Sequence, residues 1–271
     1  MKTKILRYGF FLIMTIIGGL MITSCTPQAG GGSGINLFSV EQDKQLGAQT
    51  AKQIADDPQQ FPILARQGNE QVYQMVENMT NAILSTGKVA YSDEFAYDVK
   101  IIDNDSVLNA FATPGGYIYV YTGLIKFLDS EDQLAGVMGH EIAHSARRHS
   151  TSQITKVYGI SAMLSMVTGN ASPSMMEQIA TGLAQLSFSR SHETDADAHS
   201  VIYLCETGYN AAGAAGFFKK MEGRPTQPTF LSTHPNPGNR VENIEAKARE
   251  LGCTGGNTYT ERYNRVKASL R

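Results

Sequence analysis

The stretch "VMGHEIAHSARRH", Val137 to His149, contains two histidines and a glutamate in the order His140, Glu141, His144. Four residues of α-helix turn through about 400°, so His140 and His144 project about 40° apart, one turn above the other. Two imidazoles so placed can grip one ion. Glu141 lies one step round, beside the metal rather than on it, where it can take a proton from a metal-bound water and pass it to a leaving amine. The set suits zinc, which accepts imidazole and carboxylate ligands and keeps one position open in catalytic sites. The same pattern also occurs by accident in ordinary helices, so the rest of the chain must decide.

A third ligand is needed. The metzincin pattern fails, because Arg147 stands where that pattern needs glycine and His149 comes one residue too early. His149 reads more simply as a polar helix-end residue near a negative C-terminus. The other candidate stretch is "SFSRSHETDADAHS", Ser187 to Ser200, in which Glu193 and Asp197 are four apart and share a helical face. Glu193 could ligate the metal while Asp197 bonds the far nitrogen of a ligating histidine and fixes its tautomer. His192, Asp195 and His199 compete for the role, and spacing does not choose among them.

Around these residues the pattern predicts helices enclosing a few strands. "SVEQDKQLGAQTAKQIADD" repeats apolar residues at helical spacing behind a Ser39 cap with Gln42 three residues on, and "NEQVYQMVENMTNAIL" does the same. "FAYDVKIID" and "GYIYVYT" alternate apolar and polar residues and predict two or three strands of a small sheet, with "TPGG" as a turn. From Ser130, read as a cap, Leu134, Val137, Met138 and Ile142 make an apolar stripe that places the motif on a helix. Helix is expected through much of 151–188, interrupted at "GNASPS", and again over Glu193 to Glu206, Ala211 to Met221 and Val241 to Leu251. The fold class expected is α+β, mostly helical, with the small sheet beside the motif helix.

The 271 residues, 42% hydrophobic with a formal charge of −2, suit one core and exclude nucleic-acid binding by charge. The N-terminus is a separate object: "MKTKILR" is basic, Phe10 to Ile22 is apolar and too short to span a bilayer comfortably, and "ITSC" ends at Cys25. Ile22 to Cys25 resemble the lipobox of bacterial lipoproteins, which implies a signal peptide over 1–24 and an acylated Cys25. Loss of Lys2, Lys4 and Arg7 leaves 20 basic against 25 acidic residues, a charge of −5. Residues 25–34, with "PQAGGGSG", read as a flexible tether to a domain over 35–271. In an oxidising compartment Cys205 and Cys253 are a candidate disulfide.

"GHEIAHSARRH" followed by "SRSHETDAD" resembles the gluzincin metallopeptidase family that includes HtpX, the CAAX prenyl endopeptidases and the periplasmic BepA and LoiP lipoprotein proteases. "INLFSVEQDKQLG", "NAFATPGGYIYVYTGLI" and "STHPNPGNRVENI" extend the resemblance from Ile35 to about Leu251. It implies one zinc per chain on His140, His144 and Glu193, with Asp197 behind the ligands and Glu141 activating the water. Asn109, Ala110, Phe111 and Ala112 would form an edge strand that pairs with an extended peptide substrate. The "THPNPGNR" element would lie beside the zinc. His234 there would stabilise the oxyanion, or fill the open metal position and hold the enzyme shut, or merely start a helix with Arg240 in an ion pair.

The expected activity is zinc-dependent endoproteolysis, with misfolded or unassembled envelope proteins as the partners implied. The lipid would anchor the chain at the periplasmic side of the membrane. Thr26, where an inner-membrane retention signal shows Asp, directs the expectation to the outer membrane. The rivals are a zinc-containing chaperone or assembly factor that rarely cuts, and a zinc amidase acting on other substrates.

Overall fold

A computed structural model of the chain describes residue 36 and residues 38–270, apart from 169, 184, 223–228 and 254. The expected signal peptide, the expected acylation site Cys25, the expected tether and the expected domain start at Ile35 lie outside the described residues. Two helices open the fold, α1 (Val40–Asp56) and α2 (Glu70–Leu84). Ser39 and Gln42 cap α1 reciprocally: the Ser39 hydroxyl accepts from the Gln42 amide, and the Gln42 side chain accepts from Ser39 N.

Three strands follow, β1 (Val99–Ile102), β2 (Ala110–Thr113) and β3 (Tyr117–Tyr121), in the sheet order β1-β3-β2. β1 runs parallel to β3, and β2 forms an antiparallel hairpin with it through the turn Pro114–Gly116, pairing Phe111 with Tyr119. Alternation sends Ile101, Ala110, Ala112, Ile118 and Val120 into the main core, and Ile102, Phe111, Tyr119 and Tyr121 into a smaller cluster with Ile54 and Phe61. Both faces are therefore covered.

The remaining helices are α3 (Thr122–Phe127), α4 (Glu131–Ala146), α5 (His149–Val167), α6 (Pro173–Leu183), α7 (Arg190–Leu204), α8 (Gly213–Met221), α9 (Thr229–Thr233), α10 (Arg240–Glu250) and α11 (Thr260–Ser269). Helix α3, which starts directly after β3, carries no signal strong enough to separate it from the strand pattern. In α11, Tyr263 is fully buried and donates its hydroxyl to Ile125 O, so the C-terminal tyrosine docks on the body.

The motif helix α4 sits at the centre. Its stripe of Leu134, Val137, Met138 and Ile142 is buried, but so are Glu131, Asp132, His140, Glu141, His144 and Ser145. A helix enclosed on nearly every side needs a partner for each polar group. Glu131 accepts from Tyr209 and Arg262, Asp132 from Asn210, and Ser145 donates to Thr113 O. Ser130 is the N-cap residue, yet its side chain caps no amide: the hydroxyl goes to Asp132, and Thr258 O accepts from the Glu131 and Asp132 amides instead. The expected side-chain cap is thus replaced by a carbonyl from the far end of the chain.

Two glycines let neighbouring helices close on α4. A methyl at Gly136 would land on the Ala214 backbone of α8, and one at Gly139 would press on Ser200 of α7. Ser200 Oγ uses that proximity to donate to Gly136 O at 2.8 Å. The α4–α7 approach positions everything that follows.

Cys205 and Cys253 form a disulfide with a Cα–Cα distance of 4.9 Å, tying the end of α7 to the end of α10 across 48 residues. In the loop-entropy account, closing a loop of this length stabilises the fold by roughly 2–4 kcal/mol. Replacing both cysteines by serine should lower stability by that amount in urea unfolding under oxidising conditions, and should make it insensitive to reductant. Equal stability with and without the bond would show that the tie constrains nothing.

Candidate metal centre

Helix α4 presents His140 and His144 on one face, and α7 presents Glu193 from its first turn, where Ser189 caps the helix by accepting from the His192 amide. His140 Nε2 and His144 Nε2 stand 3.0 Å apart, and each is 3.4 Å from a Glu193 carboxylate oxygen. His234, just past α9, brings Nδ1 to 3.3 Å from His140 Nε2 and 3.2 Å from Glu193 Oε1. One donor atom from each of the four lies within 4.8 Å of the others, and all four residues are buried. His192, Asp195 and His199, which compete in the sequence, fall outside this cluster.

The donor set fits zinc: imidazole nitrogens and one carboxylate converge on a dry point, where packing lone pairs together is costly unless a cation lies between them. Burial would raise the Glu193 carboxyl, but His234, His140 and His144 around it hold it well below the usual carboxylate range. Burial drives the His144 imidazole well below its ordinary value, leaving it neutral and able to ligate.

Behind the ligands stands an ion-paired layer. Asp197 Oδ1 lies 2.9 Å from His140 Nδ1, so the carboxylate fixes the His140 hydrogen there and frees Nε2. Arg240, the first residue of α10, is buried. Its Nε donates to Asp197 Oδ2 at 2.7 Å, and its Nη2 donates to Asp197 Oδ1 at 2.8 Å and Glu193 Oε2 at 2.9 Å. The guanidinium also lies 3.9 Å over the Phe218 ring.

Glu141 is fully buried, and neither carboxylate oxygen has a hydrogen-bond partner among the described residues. The nearest imidazole is that of His234, whose Nε2 is 3.5 Å from Oε1 and has no hydrogen bond among the described residues. Burial pushes the carboxyl up to about 8; the neighbouring His234 opposes this, Glu193 adds to it, and Arg240 and the Ala112 amide of β2 oppose it. A carboxyl raised this far holds a proton strongly, so once ionised it is a good acceptor for the proton of a nearby water.

The strand proposed to carry substrate, Asn109 to Ala112, maps onto β2 with its start one residue later, and β2 is a sheet edge. Tyr121 N donates to Asn109 O, so by antiparallel alternation Phe111 and Thr113 also face β3 while Ala110 and Ala112 turn their backbone groups outward. That edge is covered. Asn109, Ala110 and Ala112 are buried, the Phe230 amide of α9 donates to Leu108 O, and the Phe230 ring stacks on His234 at 4.2 Å. The segment bonded to Leu108, just before the strand, is the one that leads into His234, and Ser150 of α5 donates to Ala112 O at 3.5 Å.

His149 departs from its reading as a helix-end residue. Arg148, at φ 58°, ends α4 in the left-handed region and turns the chain, so His149 begins α5 with its ring buried against His144. Five residues from His144 is no helical-face spacing, and nothing in the local pattern signals the contact.

Residues 67–248 match peptidase family M48. The chain is 31% identical over 163 residues to the putative beta-barrel assembly-enhancing protease of Vibrio cholerae, covering 54% of this chain and 34% of that protein. Against the beta-barrel assembly-enhancing protease of Escherichia coli it is 26% identical over 269 residues, covering 89% of this chain and 52% of that protein. It is 29% identical over 164 residues to the mitochondrial metalloendopeptidase OMA1 of Arabidopsis thaliana, covering 60% of this chain and 33% of that protein. The chain thus spans about half or less of the length of these relatives. With the family match extending over the sheet, both metal-site helices, His234 and Arg240, the chain belongs to peptidase family M48.

Proposed function

We propose that this chain is a zinc-dependent metalloendopeptidase, anchored through a lipid on Cys25 at the periplasmic face of the bacterial outer membrane, that cuts misfolded or unassembled envelope proteins. The observation that carries the catalytic part is the convergence of His140, His144 and Glu193 beside an unpaired, buried Glu141. His140, His144 and Glu193 hold the zinc. Zinc, when bound, polarises the scissile carbonyl and makes water a stronger acid. Glu141 takes the proton of the attacking water and returns it to the leaving amine. Asp197 and Arg240 keep His140 and Glu193 in place.

The outward backbone groups of Ala110 and Ala112 pair with an extended substrate and lay its peptide bond across the centre. Such pairing requires α9 and His234 to leave the strand. His234 then acts as a gate: its Nδ1 takes the place that a substrate or water would need, and the closed form is latent. The envelope location is supported by the lipobox-like "ITSC" and by the likeness to the beta-barrel assembly-enhancing proteases of Vibrio cholerae and Escherichia coli. Among the described residues no helix is long and apolar enough to cross a membrane.

The shut centre also favours a second reading, a zinc-containing chaperone or assembly factor with little proteolysis. His234→Ala separates the two. If the closed form holds about nine molecules in ten, releasing it raises casein cleavage at low substrate about tenfold. Lower cleavage with zinc retained would assign His234 to catalysis instead, and unchanged cleavage would remove it from the site. With one zinc per chain and no cleavage by wild type or variant, the peptidase reading falls and the chaperone stands.

A further inference from the structure

His144 turns Nε2 toward the other ligands and leaves Nδ1 facing away from the centre, 3.1 Å from His149 Nδ1. Two ring nitrogens at that distance share one hydrogen. A neutral imidazole that offers its Nε2 lone pair to a metal carries its hydrogen on Nδ1. His144 Nδ1 is therefore the donor, and His149 Nδ1 must accept. The hydrogen of His149 then sits on Nε2, which faces Asp195 Oδ2 at 3.1 Å, although the angle makes this an electrostatic contact rather than an aligned hydrogen bond.

The surroundings hold His149 in that state. His149 is buried, and its Nε2 edge is taken by Asp195, which leaves Nδ1 to face His144. Its ring is stacked on His192 at 4.5 Å with a 14° tilt, and Asp195 is fixed from the other side by Arg147 Nε at 2.8 Å. His140 has Asp197 behind it, and among the described residues His149 is the acceptor in the corresponding place behind His144. Asp195 and Asp197 both lie on α7, two residues apart, so the helix that supplies Glu193 also steadies both imidazoles of α4.

We propose that His149 is a positioning residue for the metal centre: it accepts the Nδ1 hydrogen of His144, with Asp195 orienting His149 in turn, and thereby fixes the tautomer and ring plane in which His144 binds zinc. The inference rests on the reading of His140, His144 and Glu193 as zinc ligands. It requires no proteolysis.

The test is zinc affinity, measured on the purified protein by competition with a chromophoric chelator, beside thermal unfolding of the metal-free forms. Loss of such an outer partner typically weakens metal binding about 10–100-fold. His149→Leu should show a loss of that size. His149→Asn places its amide oxygen on Cγ, where the imidazole carries Nδ1, and should recover most of the affinity. His149→Gln carries the same amide one bond further out and should not.

The Asn and Gln variants differ in reach and not in chemistry, so a residue that only fills space would treat them alike. Equal affinity of Asn and Gln, or a Leu variant that binds zinc like wild type, overturns the proposal. If the Leu variant fails to fold, the Asn and Gln pair decides alone. Wild-type protein that binds no zinc would instead overturn the metal centre itself, which keeps the two failures distinct.

Discussion

Glu141→Gln is expected to retain one zinc per chain and to lose casein cleavage by a factor on the order of 10²–10⁴, the usual contribution of a general base. The substitution keeps volume and removes only the ability to accept a proton. Glu141 is outside the group of converging donor atoms, so metal content should not follow activity down. A second effect separates this variant from damage. The carboxyl is buried, unpaired and pushed up to about 8, a cost to the folded state that a neutral amide does not carry. The Gln variant should therefore melt no lower than wild type, as expected where a site gives up stability for activity. The comparison is best made in both the wild-type and His234→Ala backgrounds, so that latency cannot mask the loss. Cleavage at the parent rate by a zinc-loaded Gln variant would remove Glu141 from the mechanism.

The second large effect is on stability. Arg240 is the one arginine or lysine in contact with both Asp197 and Glu193 among the described residues, beside His140, which touches both as well, and all are buried. Burial disfavours its charge, but the two carboxylates raise its pKa above the ordinary arginine value, so it stays charged. Replacing it with leucine leaves two buried carboxylates with imidazole neighbours alone, and losing one partner of a buried pair costs about 3–5 kcal/mol. The metal-free protein should show this loss in urea unfolding. Zinc, binding the folded state beside Glu193, should return part of it. Arg240→Lys should not substitute, because one ammonium cannot reach both Asp197 oxygens and Glu193 in the fork that the guanidinium spans. A metal-free leucine variant as stable as wild type would show that the layer behind the ligands is not held by charge.

Much of the site was legible in the chain because it is written in local periodicity. A four-residue interval put His140 over His144, and the same interval put Asp197 beside Glu193; both follow from helical pitch, and both hold in α4 and α7. Alternation in "GYIYVYT" and "FAYDVKIID" located β3 and β1. The choice of Glu193 over His192, Asp195 and His199 was not in the spacing. It follows from the rotation of α7 against α4, which Gly136, Gly139 and Ser200 allow by close approach.

What the amino-acid sequence determined by itself was the helix face, the chemistry of its side chains and the strands beside it, since each depends on neighbours a few residues apart. Only the tertiary structure decided that His234 joins the donor cluster, that Arg240 contacts Asp197 and Glu193 together, that α9 bonds to Leu108 just before β2, and that His149 returns behind His144. These contacts join residues whose separation along the chain carries no period. They arise where dense packing, a left-handed turn at Arg148 and the partnering of buried polar groups favour one arrangement.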